Sequence, residues 1–275
     1  MKRNLFQLLA VLLILSAAYS SAQTTETLPR DNFYDEQRVK DNAAIPYDFV
    51  SENDVYWHKR IWRVIDMKEK MNLPFRYEGI DWTNLSPLIT TLRSAALSGE
   101  MQVYDDETFK TPMTVPQVQS KGAGFDTIPV QDLEGNVTHD TVVEHPFDPN
   151  KVLHWRIKED WFFNKKTSQM QVRIIGIAPM YYDEEAKQEY SLFWVYYPNA
   201  RNILAKAEVF NPQNDAQRWT FEDLFEMRMF SSTIYKESNL FDRRITEYAT
   251  GLDALRESDR IKNDIFNYEH DLWSF

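Results

Sequence analysis

Leu153-His154-Trp155-Arg156-Ile157-Lys158 is the stretch on which the fold turns, because apolar and polar residues alternate along it without a break. Successive side chains of a strand point to opposite faces of its sheet, so a period of two predicts a strand whose buried face carries Leu153, Trp155 and Ile157. The alternation returns where Met170, Val172 and Ile174 interleave with Gln171 and Arg173, and that strand is expected to end near Pro179. Tyr190–Tyr197 reads as a further strand, with the polar run Asp183-Glu184-Glu185-Ala186-Lys187-Gln188-Glu189 turning the chain before it. Strands joined by turns this short predict a small antiparallel sheet, since parallel neighbours need crossovers of a dozen residues or more.

Outward from the sheet the period changes. Upstream, Ser51-Glu52-Asn53-Asp54 has the form of a capping box, and Lys68 and Lys70 suit the negative end of a helix dipole. These signals predict a helix running to about Asn72, ahead of Pro74, with Trp57, Ile61, Val64 and Met71 as its core stripe. Trp62 falls off that stripe, among His58, Asp66 and Glu69, so either a second element covers it or it meets another subunit. A second helix starts at Ser86 as N-cap with Pro87 at the first helical position, buries Leu88, Leu92 and Ala96, and stops before Gly99. Downstream, Thr220 and Asp223 repeat the capping-box pattern before Phe221, Leu224 and Phe225, and Ile261, Ile265, Tyr268 and Leu272 mark a helix at the end. Residues 111–150 hold three of the seven glycines and five of the twelve prolines, and Asp132-Leu133-Glu134-Gly135-Asn136 looks like a hairpin tip, so a long loop-rich excursion is expected there. Helices, then strands, then helices give an α+β fold: a small antiparallel sheet flanked by several helices.

Composition narrows the chemistry. The 275 residues contain 31 Lys and Arg against 42 Asp and Glu, a net charge of −11, which argues against a nucleic-acid binder. With no cysteine there is no disulfide framework, Cys-ligated zinc, iron–sulfur cluster or thiol nucleophile. Met1-Lys2-Arg3-Asn4, the apolar run Leu8–Leu15 and the small residues Ser20-Ser21-Ala22 form a secretory signal peptide over residues 1–22, cut before Gln23. Removing Lys2 and Arg3 takes the net charge from −11 to −13. A flexible arm over 23–44 and a single domain over 45–275 follow, with no second apolar run of membrane-spanning length and no direct membrane insertion expected. A lipoprotein is acylated on cysteine, and this chain has none, so any membrane attachment goes through a partner.

Phosphate-cradling motifs are absent: Gly122-Ala123-Gly124 lacks a third glycine at the dinucleotide spacing. No two of the five histidines have the spacing that puts a metal-binding pair on one helix face, and no nucleophile elbow surrounds a serine. No cofactor and no metal site is assigned. The adjacent carboxylates Glu159 and Asp160 are the place to look for glycan hydrolysis, although neighbours on a strand face opposite ways. Trp161-Phe162-Phe163 follows directly. These rings either alternate between the core and a neighbouring loop or form an edge on which a partner docks, since three consecutive large rings cannot all face one core.

Several longer segments resemble one family. They are Tyr56-Trp57-His58-Lys59-Arg60-Ile61-Trp62-Arg63-Val64-Ile65-Asp66 through Glu69-Lys70-Met71-Asn72-Leu73-Pro74, Gly99–Tyr104, Lys158–Phe163, Arg173–Pro179, Phe241–Ile245 and Glu269–Trp273. In this order they are similar to the GldN/PorN family of type IX secretion and gliding motility. The resemblance implies a non-enzymatic periplasmic structural subunit, held at the outer membrane by a GldK/PorK-type lipoprotein with which it forms a ring. It also implies contact with the periplasmic part of a GldM/PorM-type component, which builds the motor with GldL/PorL, and self-association within the ring. Trp62, Trp161, Phe162 and Phe163 are the candidate partner-binding residues, and no catalytic residues carry over. Two alternatives remain: a periplasmic carboxylate-dependent glycan hydrolase, and a soluble adaptor or chaperone for cargo. Under the family assignment, Asp126-Thr127-Ile128 and Asp140-Thr141-Val142 match a motif for O-glycosylation of exported proteins, with Thr127 and Thr141 as acceptors.

Overall fold

Val55–Asp66, inside the stretch that the caps and the stripe assign to a helix, is a twelve-residue strand, β1. Its first neighbour, Glu52–Asp54, is a single 3-10 turn in which Ser51 makes no side-chain capping bond. The misreading has a physical source. Trp57 and Ile61 of the expected stripe are spaced by four, which is close to one helical turn but also two full pleats of a strand, whereas Val64 falls on the opposite face of the strand and Met71 is 58% exposed beyond its end. What hides the alternation is Arg63, a charged residue in the middle of the apolar face, while the many β-branched and aromatic side chains of the segment favour a strand.

The computed structural model describes residues 42–79, 85–131, 137–184, 186–214 and 216–272, without the side chains of 124–145. In chain order the remaining strands are β2 Val103–Tyr104, β3 Gly124–Gln131, β4 Val137–His145, β5 Val152–Asn164, β6 Gln169–Asp183, β7 Gln188–Ser191, β8 Trp194–Tyr196, β9 Glu208–Val209, β10 Trp219–Thr220 and β11 Thr233–Glu237. The helices are α1 Leu88–Leu97, α2 Val115–Ser120, α3 Tyr197–Leu204, α4 Phe221–Glu226 and α5 Leu252–Asp271. The main sheet is antiparallel and seven-stranded, in the order β11-β1-β5-β6-β8-β2 with β7 also on β6. It is wider than the expected one because β1, read as a helix, pairs along its length with β5. The α+β class holds.

Helices gather on one face of this sheet. Ile65, Trp155, Ile157, Ile177 and Val195 point into a core with Leu88 and Leu92 of α1, Tyr197 and Leu204 of α3, and Phe221 and Phe225 of α4. The long α5 covers a second cluster of Ile61, Ile234, Ile245, Ile261 and Ile265. Each fully buried side chain of this size contributes roughly 1.5–3 kcal/mol. On the other face lie His58, Arg60, Trp62, Lys158, Asp160 and Phe162, partly roofed by residues 105–109. That roof needs Gly176: a Cβ there would sit 2.5 Å from Cζ of Phe109.

The helix expected from Ser86 is α1, with Leu88, Leu92 and Ala96 buried and Gly99 at φ +77° past its end, but it starts one residue later than expected: Pro87, not Ser86, holds the N-cap position and no side chain caps it. Thr220 and Asp223 form the expected capping box of α4, and α5 presents Ile261 and Ile265 inward. Two expectations need correction. Tyr190–Tyr197 is not one strand, because Leu192 and Phe193 turn inward between β7 and β8, and Pro198 starts α3 from Tyr197. Residues 111–150 are not loop-rich: they hold α2, whose box Thr114–Gln117 has a proline in the first turn, and the hairpin β3–β4, whose segments are rich in Thr, Ile and Val. Its tip, 132–136, lies outside the described residues, as do the signal peptide and nearly all of the 23–44 arm. The described residues fall within one compact unit.

Candidate partner-binding site

The run Glu159-Asp160-Trp161-Phe162-Phe163 lies on β5, and the pleat sends its side chains alternately to the two faces. Glu159 and Trp161 face the helices. Glu159 has 0% exposure and sits between two guanidiniums: Nε of Arg63 donates to Oε1, and Nη1 of Arg228 donates to Oε2 at 2.8 Å. Trp161 Nε1 donates to the same carboxylate at 2.9 Å. Burial by itself would raise the Glu159 carboxyl, but the charges of Arg228 and Arg63 and their hydrogen bonds outweigh it and hold the group below the usual carboxylate range.

Sequence order explains how Arg228 gets there. It stands just past Met227, the C-cap of α4, and adopts φ +53°, the left-handed conformation that usually goes to glycine after a helix end. A side chain with a Cβ costs about 1–2 kcal/mol in that conformation, and here it turns the guanidinium toward Glu159. Arg63 comes from β1, where it also donates Nη1 to Ser232 Oγ at 3.3 Å. Neither arginine was picked out by the sequence. Their signals were a cation inside an apolar alternation, Ile61-Trp62-Arg63-Val64-Ile65, and an arginine where a helix end favours glycine.

Above this cluster opens a groove of about 420 Å³. Arg63, Trp161 and Arg228 line it together with Phe230, Ser231 and Ser232, and α5 supplies Lys262, Ile265, Phe266 and Glu269. Met71 closes the rim, and Met71 and Phe266 are 58% and 65% exposed. The Trp161 ring has Arg228 at 5.3 Å and Arg63 at 6.0 Å from its centroid.

The opposite face holds the other half of the run. Asp160 accepts from Nε and Nη2 of Arg60 at 2.6 and 2.7 Å, with His58 Nε2 at 3.4 Å. Burial would raise this carboxyl, and the hydrogen bonds and charge of Arg60, with His58, bring it below its usual range. Glu159 and Asp160 therefore lie on opposite sides of the sheet, each neutralised by arginine. They do not converge on one bond, so this pair does not supply the acid and base of a glycoside hydrolase.

Of the four aromatic candidates, Trp62 and Phe162 are both only 6% exposed. Trp62 is covered by a second element: its Nε1 donates to Glu107 Oε2 at 2.8 Å, and Lys236 Nζ lies 4.5 Å from the ring centroid. Phe162 lies under the guanidinium of Arg173. Trp161 and Phe163 are half-buried, and Trp161 alone of the four lines the groove. Thr127 and Thr141 fall on β3 and β4, whose side chains are outside the description. Ahead of β1, the irregular segment 42–50 is tied down by Asn42 Nδ2 donating to Ala205 O at 3.2 Å and by Tyr47, which donates to Glu226 and lies over Arg201.

Among the described residues no group of three or more His, Cys, Asp and Glu is placed to hold a metal ion, and no helix is long and apolar enough to cross a membrane. A comparison with characterised proteins finds no match. A family model described as gliding motility associated protein GldN matches residues 50–274, a span that contains the sheet, the arginine–glutamate cluster and the groove. The chain therefore belongs to the GldN family, a component of gliding motility and type IX secretion.

Proposed function

We propose that this chain is a non-enzymatic structural subunit of the type IX secretion system in the periplasm. It is held at the outer membrane by a GldK/PorK-type lipoprotein, with which it builds a ring, and it couples to the GldL/GldM-type motor through a GldM/PorM-type periplasmic part. The observation that carries this reading is the family match over residues 50–274. Two features support it: every strongly held carboxylate of the β5 run is locked in an ion pair, and large apolar side chains such as Met71 and Phe266 stand at the surface beside a half-buried tryptophan. Aromatic and methionine side chains at a groove are what a protein interface is enriched in.

Trp161 and Phe163 are the partner-facing rings in this reading, while Trp62 and Phe162 set the sheet that presents them. Thr127 and Thr141 on the hairpin are the proposed O-glycosylation sites. An intact mass of the protein from its native host that equals the bare polypeptide would exclude them. The role is tested by deleting the gene: secretion of type IX cargo and gliding should stop together and return with the wild-type chain, whereas intact secretion in the deletion strain contradicts the assignment.

A further inference from the structure

We propose that the groove beside Trp161 docks a short extended segment of a partner protein in which an apolar side chain stands next to carboxylates. The proposal rests on the structural-subunit reading and names the chemistry by which one partner is recognised. Charge gives the first argument. Arg63, Arg228 and Lys262 line the groove against one lining carboxylate, Glu269; counting also the buried Glu159 that pairs with both arginines, three cations face two carboxylates, so a net positive site is kept on a chain whose net charge is −11. A cationic recess on an acidic protein selects acidic ligands over basic ones and steers their approach.

Hydrogen bonding gives the second. Arg63 uses one donor on Glu159 and one on Ser232, and Arg228 uses two on Glu159, out of five N–H groups each. The Arg228 side chain is 26% exposed and that of Arg63 8%, so part of each reaches solvent. Both arginines line the groove, so that solvent is the groove's. Glu159 thus fixes both guanidiniums at the groove through part of their donors, and the donors not spent on it or on Ser232 can serve a second carboxylate, as arginine does in its strong charge-assisted pairs.

The apolar wall gives the third. Phe230 and Ile265 flank the cations, and Met71 and Phe266 extend the wall into solvent. A free inorganic anion would gain nothing from such a wall, and a nucleic acid would be repelled by the chain's overall charge. A bilayer surface does not enter a recess of about 420 Å³, which is of the size that takes a few side chains. An acidic segment with one anchoring Leu, Met or aromatic residue satisfies both halves of the site.

The experiment uses the full chain against an immobilised array of octapeptides in which one apolar residue is flanked by two carboxylates, by two ammonium groups or by serines. The strongest acidic binders are then titrated by fluorescence anisotropy. Acidic–apolar peptides should bind at least tenfold more tightly than their charge-reversed forms, and more weakly as salt rises. The double variant Lys262→Glu with Phe266→Ser, both exposed on α5 and outside the core, should lose at least tenfold with an unchanged circular dichroism spectrum. No binding, equal binding of charge-reversed peptides, unchanged binding by the double variant, or full displacement by inorganic phosphate would each overturn the proposal. Its failure is separable from failure of the ring assignment. A chain that binds no peptide yet still co-isolates with a lipoprotein keeps the ring and loses the groove, and one that binds acidic peptides with no lipoprotein does the reverse.

Discussion

Replacing Glu159 by Gln removes one negative charge from beneath two arginines and changes almost nothing in shape. Its cost follows from where the three groups sit. Glu159 is fully buried, the Arg63 side chain is 8% exposed and that of Arg228 26%. A glutamine can still accept from one guanidinium, but its amide NH2 then faces the other, donor against donor. Breaking a buried ion pair by removing one partner costs about 3–5 kcal/mol, because the remaining charge stays desolvated. Arg228 can turn partly to water, which puts the expectation at the lower end, about 3 kcal/mol. For a domain of this size that is a fall in Tm of roughly 6–12 °C. The assay is urea unfolding followed by circular dichroism, with thermal melts beside it.

The pH dependence supplies a second arm of the same test. The folded-state pKa of Glu159 is depressed, so its stabilisation is complete above the unfolded carboxylate value of about 4.3 and is lost as pH falls below that toward the lower folded value. The gap between wild type and Glu159→Gln should therefore be constant at neutral pH and narrow only in acid. A loss below about 1 kcal/mol, or a gap that closes near neutrality, would refute the reasoning that the cluster is a tightly held ion triad.

Asp160, one residue along, gives the contrast: its partner Arg60 is 37% exposed, so Arg60→Ala should cost at most about 1 kcal/mol in the same urea titration. Gly176→Ala would bring a methyl within 2.5 Å of Phe109, whose ring also packs edge-on against Tyr104 and Tyr196, and is expected to cost about 1–3 kcal/mol and speed hydrogen exchange in residues 105–109. Thr220→Ala deletes the hydroxyl that accepts from Asp223 N at 3.2 Å and should lower stability by about 1 kcal/mol, measured by the same unfolding curves.

The sequence made legible those elements whose local chemistry agrees with their packing. Thr220 and Asp223 cap α4, Pro87 and Gly99 bracket α1, and the Leu153–Lys158 alternation is the core strand β5, because in each case propensity, period and burial point the same way. It misled where a buried charge interrupts the pattern. Arg63 makes β1 look unlike a half-buried strand, and only the carboxylate of Glu159, far away in sequence, explains why a cation belongs there. The same long-range pairing made the groove invisible: Arg63, Arg228 and Lys262 come from β1, the turn after α4 and α5, and nothing local relates them. Trp161 is legible in the sequence as a candidate ring, and the separation of its neighbours Glu159 and Asp160 onto opposite faces follows from the pleat of β5.

Purification of the tagged chain from its host's cell envelope, with the mass and composition of the resulting complex determined, tests the central claim most directly. The account predicts a large assembly with several copies of this chain and an outer-membrane lipoprotein in fixed ratio, lost on detergent extraction only when the lipoprotein is lost. Recovery of the chain as a lone monomer, with no lipoprotein partner, would contradict it.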